Sequence, residues 1–313
     1  MEARMLNRRL TAEETEARIL KCTSLPSLGS INFALQNILS RDDSSVQQIS
    51  LNVSRDPSLT ARVLKLTNSP FYGLRNKAQS LDDAIFYLGV AQIQRLVMVS
   101  PIIDQFKGVP ESINFSWKDF WKHSMAVATV AQELLNFGSF SGDGDQSGYL
   151  AGLVHDVGKI AIAMTLPETF MTIQKSVVTT QRELRDVERD YLGLDHSEIG
   201  ALYFRAQKLP SFLTNATRYH HCPSQADEDQ KLAAIVNIAD LAVRSAEIGS
   251  SGALTTVKSS TWKSLDAWGY VLPKASSKVL GRIQRNIDKQ LFKLPELVNE
   301  MVDDQEFVRK ARA

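Results

Sequence analysis

Apolar positions recur at three- and four-residue spacing along nearly the whole chain, and no clear apolar–polar alternation of the strand type interrupts them. Thr11-Ala12-Glu13-Glu14 has the form of a capping box and predicts a helix to about Lys21. Leu25-Pro26-Ser27-Leu28 is a break, after which Ile31, Leu35, Ile38 and Leu39 resume the helical spacing. Asp56-Pro57-Ser58 opens a further helix with Leu59, Val63, Leu64 and Leu66 on its apolar face, because proline suits a first turn and aspartate a cap. Asn68 to Gly73 reads as a loop carrying Phe71 and Tyr72. Ser80-Leu81-Asp82-Asp83 caps a helix that stops at Gly89, and another runs from about Val90 to Phe106. Residues 149–165 form a small-residue apolar stretch suited to close packing. Helices are then predicted over 167–178, 181–192, 196–207, 210–221 and 227–247, with flexible loops at 139–148 and 247–256. The fold class expected is all-α.

Lys107-Gly108-Val109-Pro110 looks like a boundary: no histidine precedes it and all five follow it. The expected division is an N-terminal helical bundle over 1–107, a ligand-bearing helical domain over 108–250, and a C-terminal helical extension over 251–313 that packs on the rest. The 313 residues suffice for one large core or two moderate domains. The net charge of +1 argues against bulk electrostatic binding of nucleic acid, so no direct contact with DNA is expected. Cys22 and Cys222 form no framework, no apolar run approaches the roughly 20 residues of a spanning helix, and a reducing cytoplasm is the simple reading.

The histidines change the picture. They are His123, His155, His196, His220 and His221, and every one can be placed in a single metal site. His155 is joined to Asp156, and Asp240 follows in an apolar run. Imidazole nitrogen and carboxylate oxygen suit borderline divalent metals. Adjacent residues can grip one ion near a helix end, and a carboxylate can bridge two. His123, His155, Asp156 and Asp240 would make one site. His196, His220 and His221 would make a second around the other oxygen of Asp156. Two such ions activate a water and stabilise the charge of a phosphoryl transition state. Lys159, three residues after Asp156, shares its helical face and could neutralise it or meet a substrate phosphate.

The ordered set of His, His-Asp, His, His-His and Asp resembles the HD superfamily of metal-dependent phosphohydrolases. Leu25-Pro26-Ser27-Leu28, Asp56-Pro57-Ser58-Leu59, Asn68-Ser69-Pro70 and Ala84-Ile85 leading to Leu88-Gly89 narrow the likeness to the HDOD family, the HD-related output domains of bacterial signalling proteins. The resemblance covers about residues 20–245 and implies an HD-type helical fold, a cytoplasmic setting and signal transduction. It places the HD ligands on His123, His155, Asp156 and Asp240, with Lys159 in support. The extra ligands of the bimetal branch, which includes cyclic-di-GMP phosphodiesterases of the HD-GYP type, fall on His196, His220 and His221. Family members often lack these ligands; this chain keeps them. It departs from the bimetal branch at Cys222, where that branch has Glu, and it lacks the Gly-Tyr-Pro loop.

Two functions follow as expectations. One is a phosphohydrolase acting on a nucleotide or cyclic dinucleotide, with two divalent ions (Fe or Mn), and with Asp156 and Lys159 at the reacting centre. The other is a non-catalytic signalling module that binds a protein partner and retains a structural or sensory metal. Lys208 and Arg218 lie near the proposed site in sequence, but solvated surface is the simpler fate for both. Trp117 and Trp121 read as packing one helix face rather than stacking a substrate. Asp143 and Asp145 carry a hint of a calcium loop whose remainder is missing. Phe71 and Tyr72 read as anchors of their loop, and the basic tail from about Ser276 as a solvated helix face rather than a membrane contact.

Overall fold

The computed structural model describes residues 9–23, 25, 60, 64, 67–68, 74, 76–89, 93, 109, 115–137, 145–253 and 257–302. The described elements are helical, and the fold is all-α. The helices expected over 31–39, from Asp56 and from Val90, the loop aromatics Phe71 and Tyr72, and Asp143 lie outside the described residues or almost wholly so.

The chain divides into two units that do not follow chain order. One comprises Met1–Ser27, Gly108–Phe140 and Ser147–Phe292; the other comprises Leu28–Lys107, Ser141–Gln146 and Lys293–Ala313. The first therefore differs from the expected 108–250 domain by including the N-terminal helix and most of the C-terminal extension.

In the first unit, α1 (Ala12–Lys21) begins with the anticipated capping box, in which Thr11 and Glu14 serve each other's backbone N–H. Ile19 is buried, and the buried Thr15 hydroxyl donates to the carbonyl of Leu192 at 2.7 Å. The long helix α3 (Trp117–Phe137) forms the centre, after α2 (Leu81–Leu88) of the other unit. It packs on α4 (Ser147–Val154) and on α10 (Gln230–Ser245). Then come α5 (Val157–Thr165), α6 (Pro167–Thr180), α7 (Leu184–Leu192), α8 (His196–Ala206) and α9 (Ser211–Tyr219). Helix α8 packs on α1, α5 and α9, and α9 also meets α4 and α10. Fully buried Phe120, Leu134, Leu150, Ile160, Ile173 and Phe204 fill the space between.

Two close approaches set the spacing of the central helices. A Cβ on Gly152 would fall 2.7 Å from the Cα of Ala128, so α4 lies directly on the backbone of α3. A Cβ on Gly158 would fall 1.8 Å from the carbonyl oxygen of His196, so α5 meets the first turn of α8 with no side chain between them.

Boundaries moved where the backbone turned left-handed. Gln181 (φ 54°) ends α6, so the helix expected from 181 starts at Leu184. Asp229 (φ 56°) precedes α10, which starts at Gln230 rather than 227. The carboxylate of Asp229 does not cap that helix; it accepts from the side-chain amide of Asn215 at 2.9 Å.

Trp121 is buried, and Trp117 stacks on Phe170 with ring centres 5.7 Å apart, so both tryptophans pack rather than face a ligand. Short helices α11 (Ser259–Lys263) and α12 (Trp268–Val271) cover α10. Helix α13 (Ser277–Val302) buries Ile283 and Ile287 and, within the first unit, joins α3 through Asn286 and Glu133 at 3.1 Å. In the second unit, α2 (Leu81–Leu88) has a Ser80–Asp83 capping box and ends at Gly89 (φ 78°). The Asn68 side chain clasps the backbone of Ala78 in both directions there. Among the described residues no single helix is long and apolar enough to cross a membrane.

Candidate metal centre

The apolar stretch 149–165 is two helices, α4 and α5, and the break between them is His155-Asp156. The turn lets both side chains point the same way, which neighbours inside one helix cannot do. Asp156 occupies the cap position of α5 but makes no cap hydrogen bond, which leaves its carboxylate for the interior.

All seven residues singled out in the sequence converge. His123 on α3, His155 and Asp240 on α10 form one group; Asp156, His196 on α8, His220 and His221 after α9 form another. Within each, ligand atoms lie within 4.8 Å of one another. The Asp156 carboxylate stands between them. Its Oδ2 is 3.3 Å from Nε2 of His155, and its Oδ1 is 3.2 Å from Nε2 of His196 and 3.8 Å from Nε2 of His220. Nε2 of His196 and Nε2 of His221 are 2.9 Å apart.

The rings are aimed by their outer nitrogens. Nδ1 of His155 lies 2.7 Å from the Gly152 carbonyl, Nδ1 of His220 lies 2.7 Å from the Thr217 carbonyl, and Nδ1 of His196 lies 2.6 Å from Oε2 of Glu188. These partners only accept, so each Nδ1 carries a proton, and once a ring is neutral its Nε2 offers a lone pair turned inward. That is the arrangement of metal-binding histidine.

Inside, partners run out. Nε2 of His123, His155 and His220 and Oδ1 of Asp156 are buried and make no hydrogen bond. His123 Nε2 is 3.0 Å from Oδ1 of Asp240, but out of line for a hydrogen bond. Buried polar atoms are nearly always satisfied, because leaving one bare costs about 1–3 kcal/mol. Two of these bare atoms lie in each of the two groups, and a mixed imidazole and carboxylate donor set fits a divalent metal.

The electrostatics agree. Burial opposes the charged form of Asp156, but His155, Lys159 and His196 together hold its carboxyl well below the usual carboxylate range. Lys159 Nζ, itself buried, donates to Asp156 Oδ2 at 2.5 Å. Burial also opposes the His196 cation, yet the Glu188 carboxylate overrides it and, with Asp156, raises the imidazole to about 9. Burial, with His155 alongside, pushes His220 down to about 3. Asp240 is held below the carboxylate range by its contact with His123, against the opposing effect of burial.

A cavity of about 210 Å³ opens beside the group, with Asp156, Lys159, His196, His221 and Asp240 on its inner wall. Arg185 of α7 and Arg244 of α10, both half-buried, line it too; Lys208 and Arg218 are not among its lining residues. Arg218 instead lies over the Tyr219 ring. Sequence reading missed Glu188, Arg185 and Arg244. Cys222 is a half-buried free thiol at the start of the short 3-10 turn Pro223–Gln225, next to Arg185.

An HDOD domain protein from Geobacter sulfurreducens superposes with a TM-score of 0.79 at 23% identity, over 92% of this chain and 98% of that one. A candidate phosphohydrolase from Shewanella amazonensis SB2B superposes with a TM-score of 0.65 at 24% identity, over 90% of this chain and 99% of that one. At such identities the likeness concerns the fold. An uncharacterized protein of Treponema pallidum (strain Nichols) is 26% identical over 227 residues, which are 70% of this chain and 42% of that protein's length. The present chain therefore spans less than half of that relative. The family model described as the HDOD domain matches residues 25–223, more than half of the chain. The chain belongs to the HDOD family.

Proposed function

We propose that this chain is a metal-dependent phosphohydrolase of the HD type, acting on a phosphate ester of the nucleotide or cyclic nucleotide class. The observation that carries the reading is the ring of buried, inward-facing acceptor atoms without partners around Asp156. His123, His155, Asp240 and Asp156 would hold one divalent ion, and His196, His220, His221 and Asp156 a second, with Fe or Mn suited to the donor set. Bound there, the ions supply Lewis-acid activation of water and of the phosphoryl group.

The chain's own residues do the rest. The Asp156 carboxylate, kept ionised by its neighbours, spans both groups. Lys159 offsets part of its charge and reaches the cavity, where a phosphate oxygen would meet the ammonium. Glu188 fixes the ring of His196. The low exposure of the inner wall excludes bulk water, which strengthens every such interaction. The same fold in a candidate phosphohydrolase of Shewanella amazonensis is consistent with this reading.

A second reading is favoured by one observation: Cys222, not a carboxylate, follows His221, and no carboxylate replaces it in that turn. On it, the chain is a signalling module that keeps its metal for structure or sensing and captures a partner protein. Turnover separates the two. Metal-loaded protein and its Asp156→Ala variant are to be assayed against phosphomonoester, phosphodiester and nucleotide panels. Hydrolysis in the first and not the second supports the enzyme. Equal rates in both, or none in either with metal bound, remove it.

A further inference from the structure

The cavity has two electrical poles. On its more buried side, Lys159 and the half-buried Arg185 and Arg244 stand beside the candidate metal ligands, Arg244 near Asp240 and Arg185 near His221. At the outer end it is lined by Glu183 and Asp186, two exposed carboxylates on the residue before α7 and in the first turn of that helix. The remaining described lining contains no aromatic ring: Leu184, Ser251 and Ala253 complete it. From this polarity we infer that the cavity takes a single terminal phosphomonoester carried on a compact, hydroxyl-bearing group such as a ribose. The inference rests on the phosphohydrolase reading above and narrows it.

Each part has a chemical reason. The cationic end suits one dianionic phosphate, and guanidinium groups can present paired N–H donors to its oxygens. Arg185 is held in place by Asp195, which accepts from its Nε at 2.8 Å. Arg244 lies along α10 one turn beyond Asp240, with Nη1 3.9 Å from the Oδ2 of that residue. A second phosphate, as in a nucleoside diphosphate or a cyclic dinucleotide, would reach the outer end and meet Glu183 and Asp186 at like charge. Sugar hydroxyls would instead donate to those carboxylates. Apart from the candidate ligands His196 and His221, the described lining residues offer a purine or pyrimidine no ring to stack on, so the base is expected to add little. In the hydrolysis that follows, the oxygen of water bonds to phosphorus and the ester P–O bond breaks. The leaving oxygen takes one proton of that water, which gives the free alcohol and inorganic phosphate.

The test is calorimetric and needs no turnover. Manganese-loaded protein is titrated with inorganic phosphate and with phosphonate analogues of ribose phosphate, AMP and ADP, and also with a cyclic dinucleotide. The expected order has the ribose phosphate and AMP analogues binding comparably, and both about tenfold tighter than the ADP analogue, the size of one like-charge contact near a surface. Arg185→Gln and Arg244→Gln should each weaken inorganic phosphate. Glu183→Gln combined with Asp186→Asn should bring the ADP analogue to within a few-fold of the AMP analogue; both positions are exposed, and thermal melts confirm folding. Wild-type protein that binds ADP or the cyclic dinucleotide as well as the monophosphates overturns this inference and leaves the phosphohydrolase reading standing. So does an unchanged ratio in the double variant, or a strict requirement for the base. Protein that holds manganese but binds no phosphate at all sinks both.

Discussion

Oε2 of Glu188 accepts two hydrogen bonds from one residue, the backbone N–H of His196 at 2.9 Å and its ring Nδ1–H at 2.6 Å. Backbone and ring are thereby fixed by a single buried carboxylate. Removing the charge while keeping an acceptor tests what this does. Glu188→Gln is expected to lower divalent-metal affinity by about 10–100-fold, the usual effect of losing a carboxylate behind a metal-binding histidine. Calorimetric titration with manganese measures it. An affinity unchanged within twofold would remove Glu188 from the site.

The contact of α5 with α8 predicts a packing effect. Gly158→Ala forces a methyl against the His196 carbonyl, where the Cβ would lie 1.8 Å away. Overpacking of this kind costs about 1–3 kcal/mol, more where backbone must shift. Urea unfolding should show that loss, with a parallel loss of metal. Gly269→Ala, which meets nothing within 4 Å, should cost well under 1 kcal/mol and serves as the control.

These two relationships show how far the sequence could be read. The seven ligand candidates were legible because their chemistry resides in the residue type, and the chain has few histidines to distribute. The capping boxes at Thr11 and Ser80 were legible because they are local. Glu188 was not: in Leu184-Arg185-Asp186-Val187-Glu188-Arg189-Asp190 it looks like any charge on a solvated helix face. Only the packing of α7 beside His196 reveals that it is buried. Arg185 and Arg244 were missed for the same reason, while Lys208 and Arg218 drew attention by nearness in sequence, which does not measure nearness in space.

Protons compete with metal here. His196, raised to about 9, carries a proton at pH 8 in the metal-free protein. Metal uptake at that pH should release about one proton from this ring, and fewer as pH rises past 9. Titration in two buffers of different ionisation heat counts them. Zero release at pH 8 would mean that His196 is not a ligand.

The same groups give the metal-free fold opposing pH dependences. His196, raised on folding, stabilises fully below its unfolded value near 6.5, and that contribution is lost as pH climbs through about 9. His220, lowered to about 3, stays neutral in the fold while the unfolded chain takes up a proton, so stability falls as pH drops from 6.5 toward 3. Asp156 and Asp240, both lowered, add to the acid loss. Denaturation midpoints of metal-free protein should fall as pH drops below 6, and also as pH rises from about 6.5 to about 9. Metal should flatten the curve near neutrality, because it binds only the folded site. A profile that rises steadily toward acid would contradict these assignments.

Asp156 lies against both groups of ligands, and metal stoichiometry reads out whether each holds an ion. Protein stripped with chelator, reloaded with manganese and dialysed should retain about two ions per chain. His123→Ala and His221→Ala should each keep about one, and Asp156→Ala should fall below either. Retention of no metal by the wild-type chain, or the same retention in all four proteins, would contradict the account.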